Sequence, residues 1–515
     1  SKTRRKTCGA DTQFNKMTMK KKLFKTRSTI LALVAVLILT LSVTVFAACN
    51  KSQNVNGDIL SLYDITATFD DTKNTLVCRE ELCYINREGE TLSELKFHLA
   101  PSAFRKDAKY SPFTAQEMAS VYYNGLNYGG IEISSIKIEN LETEFTIGGE
   151  DCNLLVVPIN ALEANKSVNV EICFTVTLPA CTGRMGVTKT TVNLGNFYPM
   201  LCVYENEAYE EHPYYCLGDP FYSDIADYLV TLQMPEAYNA ATSGIVEESY
   251  VENGMRVMEI NSIKTRDFAA VLSKNFKILS DRIDGVDVNY YYTQDSNPQL
   301  SLATAKNAIK VFSTAYGSYP YKNFNVAQTG LNSGGMEYSN LVFISSTLTG
   351  NALEETIVHE TAHQWWYGVV GGNQIKNAWL DEGLTEFSTA YYFRLNGDRA
   401  RYSKIMAETL SSYIMHFDFL KLSNPEVSSD MNRAIPDYKT QGEYVIMNYH
   451  KGALMFSSLL DMYGEKKIND ALSAYFSKNA YQIATPACLI DALNTYCKRC
   501  DSIVQSWLDG TVRIG

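Results

Sequence analysis

Histidine is scarce in this chain, six in 515 residues, and so are tryptophan, with four, and proline, with 13. A site built on imidazole has few residues to draw on. Positive charge is in deficit too. There are 46 Lys and Arg against 57 Asp and Glu, a net charge of −11 and a sequence pI near 5.2. A nucleic-acid binder needs a basic face to displace counterions, so that class is excluded. Internal repeats and low-complexity segments are missing beyond the N-terminus, which leaves an ordinary globular chain. At 46% hydrophobic and 20% charged residues it can bury a sizeable core, and its length allows two or three domains. The 34 tyrosines point to extensive half-buried surface but name no ligand.

Charge is uneven along the chain. Lys2, Arg4, Arg5, Lys6, Lys16, Lys20, Lys21, Lys22, Lys25 and Arg27 precede an apolar run from Ile30 to Ala48. That run lies between a long signal-peptide core and a short transmembrane helix. It ends in Phe46-Ala47-Ala48-Cys49, small residues before a cysteine, similar to a bacterial lipobox. Two readings stand: a lipoprotein acylated at Cys49, or an uncleaved N-terminal anchor. Both keep the basic head inside and the rest outside the membrane. Met17 or Met19 would be the start of translation, and Asn50 to Gly57 reads as a tether, so residues 1–57 form a head, anchor and linker. Ten of the twelve cysteines follow Cys49, with no assignable pairing. Cys497-Lys498-Arg499-Cys500 has metal-like or redox-like spacing, but it lacks a second pair and falls in an amphipathic helical stretch.

From residue 58 to 275 the pattern is that of strands. In Val168–Leu178 the residues Val168, Val170, Ile172, Phe174, Val176 and Leu178 alternate with mostly polar positions, the period of a sheet with one buried face. Tyr228–Met234 and Met255–Ile260 alternate likewise. Beyond residue 276, Asp287–Tyr292, Asn325–Gln328 and Leu341–Ile344 are strand candidates. Leu300–Tyr316 has helical spacing and a glycine cap at Gly317, and long helices dominate from Leu353. The expectation is a multi-domain protein: an all-β domain over 58–275, then an α+β domain over 276–515.

His359-Glu360-Thr361-Ala362-His363 is an H-E-x-x-H pattern. On a helix, residues four apart share a face, so two imidazoles can address one metal ion while Glu360 reaches a water bound to it. Catalytic zinc takes a third protein ligand. Glu382, nineteen residues after His363 and just beyond a glycine-bearing turn, supplies it. One Zn²⁺ per chain is expected. Asp381 fits the alternative role of an acid favoured at a helix N-terminus.

The segments HETAHQWWYGVV and NAWLDEGLTEF resemble the gluzincin aminopeptidases, the aminopeptidase N and leukotriene hydrolase group. Asp381 stands where the family usually has Asn. The resemblance extends to Gly334-Gly335-Met336-Glu337-Tyr338, similar to the family's G-x-M-E-N edge strand. There it implies that Gly334, Gly335, Met336 and Glu337 bind substrate, with Glu337 on the free α-amine. Tyr338 replaces the usual Asn. Tyr449-His450-Lys451-Gly452 matches Y-x-K-G, which implies that Tyr449 stabilises the tetrahedral intermediate; Tyr444 matches a second tyrosine seen in some members. Leu217-Gly218-Asp219-Pro220-Phe221-Tyr222-Ser223 and Arg266-Asp267-Phe268-Ala269 look like structural signatures of the same family. The family's N-terminal domain also places a side chain near the substrate amine, and Gly195–Pro199 is the segment in question.

Taken together, the resemblance implies a saddle-like β domain followed by a thermolysin-like zinc peptidase domain. It also implies an enzyme that removes the first residue of peptides with a zinc water activated by Glu360, and the basic head and apolar run make it an exported one. Larger members carry a C-terminal helical solenoid, so a chain ending soon after Tyr449 should have a more open cleft. A gluzincin endopeptidase and a non-catalytic surface binding protein are the alternatives.

Overall fold

The computed structural model describes residues 60–512 and 514. The basic head, the apolar run and Cys49 lie outside them. Among the described residues no helix is long and apolar enough to cross a membrane.

Alternation makes the first half a β structure. Leu62–Asp70, Thr75–Ile85, Ser167–Thr177, Ala226–Pro235 and Met255–Thr265 each bury nearly every second side chain. They belong to an eight-stranded sheet, bounded by Ile245–Glu252 on one edge and Leu141–Glu142 on the other. Its pairings are antiparallel except for Leu62–Asp70 beside Ala226–Pro235. Two four-stranded sheets accompany it. Ile65, Phe97, Leu155, Ile172, Val230 and Leu272 belong to one continuous apolar core. Pro179, with no N–H for a ladder, follows the end of Ser167–Thr177.

The second half is α+β. A five-stranded sheet runs Lys277–Ile283, Val286–Tyr292, Asn323–Thr329, Leu341–Ser345 and Gly335–Met336, the last an antiparallel edge strand. Helix Pro298–Tyr316 packs on it and stops at Gly317, whose φ of 137° is unsuited to other residues. A separate core, including Phe312, Val326, Ile357, Trp365, Phe387 and Phe456, fills this half. The two β-rich and helical layers agree with the expected fold class.

Arg266 ties the halves together. It is 2% exposed and donates to the carbonyls of Tyr367, Ser223 and Gln482. Asp267 accepts from the Ser339 N–H and the Tyr367 hydroxyl. The segment that sequence marks as structural thus locks the β strands onto the chain that follows His363.

Two local expectations need correction. Asp381 does not open a regular α-helix: it sits inside a π-helical turn, Trp379–Gly383, that leads into helix Leu384–Leu395. Cys497 and Cys500 do not share a helix: Pro486–Tyr496 ends before them, Arg499 is left-handed at φ 62°, and a new helix starts at Cys500.

Candidate metal centre

Helix Gly350–His363 places both histidines on its last turn, with Glu360 between them. Their Nε2 atoms lie 3.2 Å apart. The helix then widens into a π turn, Gln364–Val369, and a second π turn carries Asp381 and Glu382 back to it. Glu382 Oε2 is 3.5 Å from His359 Nε2 and 3.3 Å from His363 Nε2. It is buried and has no hydrogen-bond partner. One donor atom from each of His359, His363 and Glu382 falls within 4.8 Å of the others. Two neutral imidazoles and a carboxylate around one point are a donor set that catalytic zinc takes.

The far side of each ring supports the same geometry. His363 Nδ1 faces Asp381 Oδ1 at 2.7 Å and Thr385 Oγ1 at 3.2 Å. His359 Nδ1 faces Glu386 Oε2 at 3.1 Å. Donating one N–H to a carboxylate fixes the tautomer and turns the other nitrogen's lone pair toward the centre. Burial opposes charge on His359, but the carboxylates of Glu382 and Glu386 beside it raise it to about 10. Burial likewise opposes charge on His363, and Asp381, Glu337 and Glu382 outweigh it. A cation arriving here meets a strongly favourable field.

Glu360 is 5% exposed, and its Oε2 has no partner. Burial pushes it up to about 7, against the pull of the two histidines. Gly335 makes room for it, since a Cβ there would collide with the Glu360 carboxylate. Tyr449 comes from a third π turn, Ile446–Lys451, and donates its hydroxyl to Glu382 Oε1 at 2.5 Å. That approach depends on two glycines. A Cβ on Gly452 would sit 2.6 Å from Gly383 Cα, and one on Gly383 would sit 2.9 Å from Gly452 Cα. Both have ordinary helical φ, −58° and −68°, so close approach is what demands glycine. π turns often mark functional sites, and here three of them deliver or follow site residues.

A cleft of about 270 Å³ opens over this centre. Gly335, Glu337, His359, Glu360, His363, Glu382 and Tyr449 line it, and Phe104, Phe113, Arg184, Tyr214 and Asp219 wall it from the β-rich half. Gly334 and Met336 are not in the lining. Met336 is buried among apolar residues, with its Sδ 3.0 Å from Arg184 Nε. Tyr444 is buried behind the site, packed against Gly218.

Asp219 is the residue that sequence reasoning passed over. It sits in the segment read as structural, yet one of its oxygens groups with those of Glu337 and Glu382 within 4.8 Å. Burial pushes it up to about 7, and the ion-paired Arg184 works against that. Gly195–Pro199 instead meets Tyr338, whose hydroxyl donates to Asn196 Oδ1 at 3.0 Å. An acidic residue flanked by a Gly and a Pro was the available signal.

Residues 300–507 match the family model described as the peptidase family M1 domain. The chain carries an M1 peptidase domain. The resemblance to gluzincin aminopeptidases is thereby borne out. Over 399 residues it is 23% identical to aminopeptidase N of Lactobacillus delbrueckii subsp. lactis, covering 73% of this chain and 46% of that protein. Over 291 residues it is 23% identical to mitochondrial aminopeptidase 2 of Saccharomyces cerevisiae, covering 52% of this chain and 30% of that protein. The chain spans less than half the length of these relatives. Among solved structures, the M1 zinc metallopeptidase of Deinococcus radiodurans superposes with a TM-score of 0.64 at 16% identity. That match covers 88% of this chain and 94% of the other, so the fold is shared nearly end to end.

Proposed function

We propose that this protein is a zinc aminopeptidase that hydrolyses the first peptide bond of short peptides. The observation that carries this reading is the spatial order of three groups along one cleft: an imidazole–imidazole–carboxylate centre, the unpartnered Glu360 beside it, and the Glu337–Asp219 carboxylates beyond. His359, His363 and Glu382 would hold the zinc. When bound there, zinc supplies a Lewis acid and a water that loses its proton near neutral pH.

The chain's own residues do the rest. Glu360 Oε2 takes a proton from the attacking water and delivers it to the leaving amine. The Tyr449 hydroxyl, now on Glu382, is the donor placed to meet the negative oxygen that develops on the substrate carbonyl. Glu337 and Asp219 bind the α-ammonium and so register the first peptide bond over the centre. Two buried carboxylates with raised affinity for protons are well suited to a cation, because an ammonium there replaces those protons.

The test compares a free-amine peptide with its N-acetylated form on zinc-loaded protein. Cleavage of the free-amine peptide alone, abolished by a chelator and restored by zinc, is the expected result. Equal cleavage of the blocked peptide makes the enzyme an endopeptidase.

We also infer export and attachment to the outer face of a membrane, supported by the basic head and the Ile30–Ala48 run. Fractionation of wild type and Cys49→Ser tests it. Release of the variant into solution marks a lipid anchor, and unchanged retention marks a peptide anchor.

A further inference from the structure

Gln374 lies in the loop between the first two π turns, is 3% exposed, and belongs to no sequence signature of the site. Its side-chain amide sits between two buried carboxylates. Nε2 donates to Asp381 Oδ2 at 2.5 Å and to Glu337 Oε1 at 3.3 Å. Asp381 in turn holds His363 Nδ1. Among the described residues, Gln374 is the side chain that donates a hydrogen bond to the Glu337 carboxylate. We propose that Gln374 is a positioning residue: it is anchored at the metal-ligand network through Asp381 and aims Glu337 at the substrate amine.

The chemistry favours an amide over the alternatives. A third carboxylate here would repel both neighbours. A Lys or Arg would neutralise Glu337 permanently and compete with the ammonium it must receive. An amide satisfies one oxygen of each acid without cancelling charge, leaving the rest of Glu337 free for ligand. Gln374 Oε1 is buried with no partner. An orphaned carbonyl oxygen costs stability, and the reversed amide would face its oxygen to two carboxylates. The orientation is therefore dictated by Glu337 and Asp381, at the expense of the remaining atom. Unsatisfied groups tolerated next to a cleft are characteristic of functional sites.

This inference rests on the amine-anchoring role proposed for Glu337, and a double-mutant cycle separates the two. The zinc-loaded full chain is assayed on an aminoacyl p-nitroanilide as wild type, Glu337→Ala, Gln374→Leu and the double variant. Gln374→Leu should raise KM about tenfold, with kcat changed less than about threefold and zinc content unchanged. In the Glu337→Ala background it should raise KM no further. A residue that merely supports the fold would add its cost in both backgrounds. Gln374→Met, unbranched and of similar length, answers the same question if Leu packs poorly. The proposal is overturned if Glu337→Ala raises KM and neither Gln374 variant does, or if the Gln374 effect is as large without Glu337. If Glu337→Ala itself leaves KM unchanged, the anchoring role fails, and the inference with it.

Discussion

Glu80 and Glu382 are both withdrawn from solvent, one in the eight-stranded sheet and the other in the helical half, and their surroundings are opposite. Glu80 is 0% exposed, faces the tyrosine-rich core beside Tyr63 and Tyr228, and neither oxygen has a partner. Burial alone pushes it well above the usual carboxylate range. Burial pushes Glu382 the same way, but His363 and His359 outweigh it and hold it far below that range. The interior accepts a carboxylate either as the neutral acid or among converging partners. For Glu80 burial decides the protonation state. For Glu382 partners decide it, and those partners also define a site.

The largest effect expected from breaking this arrangement is on Glu360. Gln at that position keeps the size and removes the base. Turnover should fall by about 10²–10⁴-fold, the range for a general acid–base group. Zinc content should stay at one per chain, because Glu360 is not among the three proposed ligands. Metal analysis beside single-substrate kinetics checks both. Near-normal turnover would break the claim that carboxylates here are arranged for chemistry.

A smaller effect tests whether the packing that delivers those partners matters as much as the partners. Gly452→Ala forces the Gly383–Gly452 crossing apart and should draw Tyr449 from Glu382. Tyr449→Phe should lower kcat by about 10²-fold, as for loss of one oxyanion donor. Gly452→Ala should cost about tenfold by loosening the same donor, and very little more in the Tyr449→Phe background. Equal losses in both backgrounds would mean that the glycines serve stability alone, which a melting curve of each variant would show.

The sequence was most informative where local geometry carries the chemistry. His359 and His363 are legible because helical spacing brings residues four apart to one face. The strand Ser167–Thr177 is legible because five alternate positions are apolar. Glu382 needed spacing plus the resemblance. The π turns were not legible, since nothing in the residues of Gln364–Val369 or Trp379–Gly383 distinguishes a wider turn from an ordinary helical one. Strand Lys277–Ile283 was missed because its side chains are mostly exposed and do not alternate. Asp219 and Gln374 were missed for another reason. Each acts through residues far away in the chain, Arg184 and Glu337, and no local pattern encodes such a meeting.

The smallest expected effect returns to the contrast between lone and partnered acids, read now as stability against pH. An unfolded glutamate has a pKa near about 4.3. Glu80 keeps its proton to a higher pH when folded. Its contribution is therefore fully present below about pH 4.3 and is lost as pH rises through the folded value. Glu80→Gln cannot ionise, so wild type and variant should melt alike near pH 4 and diverge with the variant higher toward pH 8, by about 2–4 °C for each kcal/mol. Glu171 is the partnered control: burial opposes its charge, but Lys137 and Arg79 hold it below the usual range. Its contribution is present above the unfolded pKa and lost as pH falls through the folded one. Glu171→Gln should therefore lower the melting point near neutral pH and converge with wild type in acid. That loss should be about 1 kcal/mol or less, because Arg79 is half exposed. Parallel curves for Glu80→Gln and wild type would mean that the buried acid has found a partner in solution, and the contrast between lone and partnered acids would then lose its lone member.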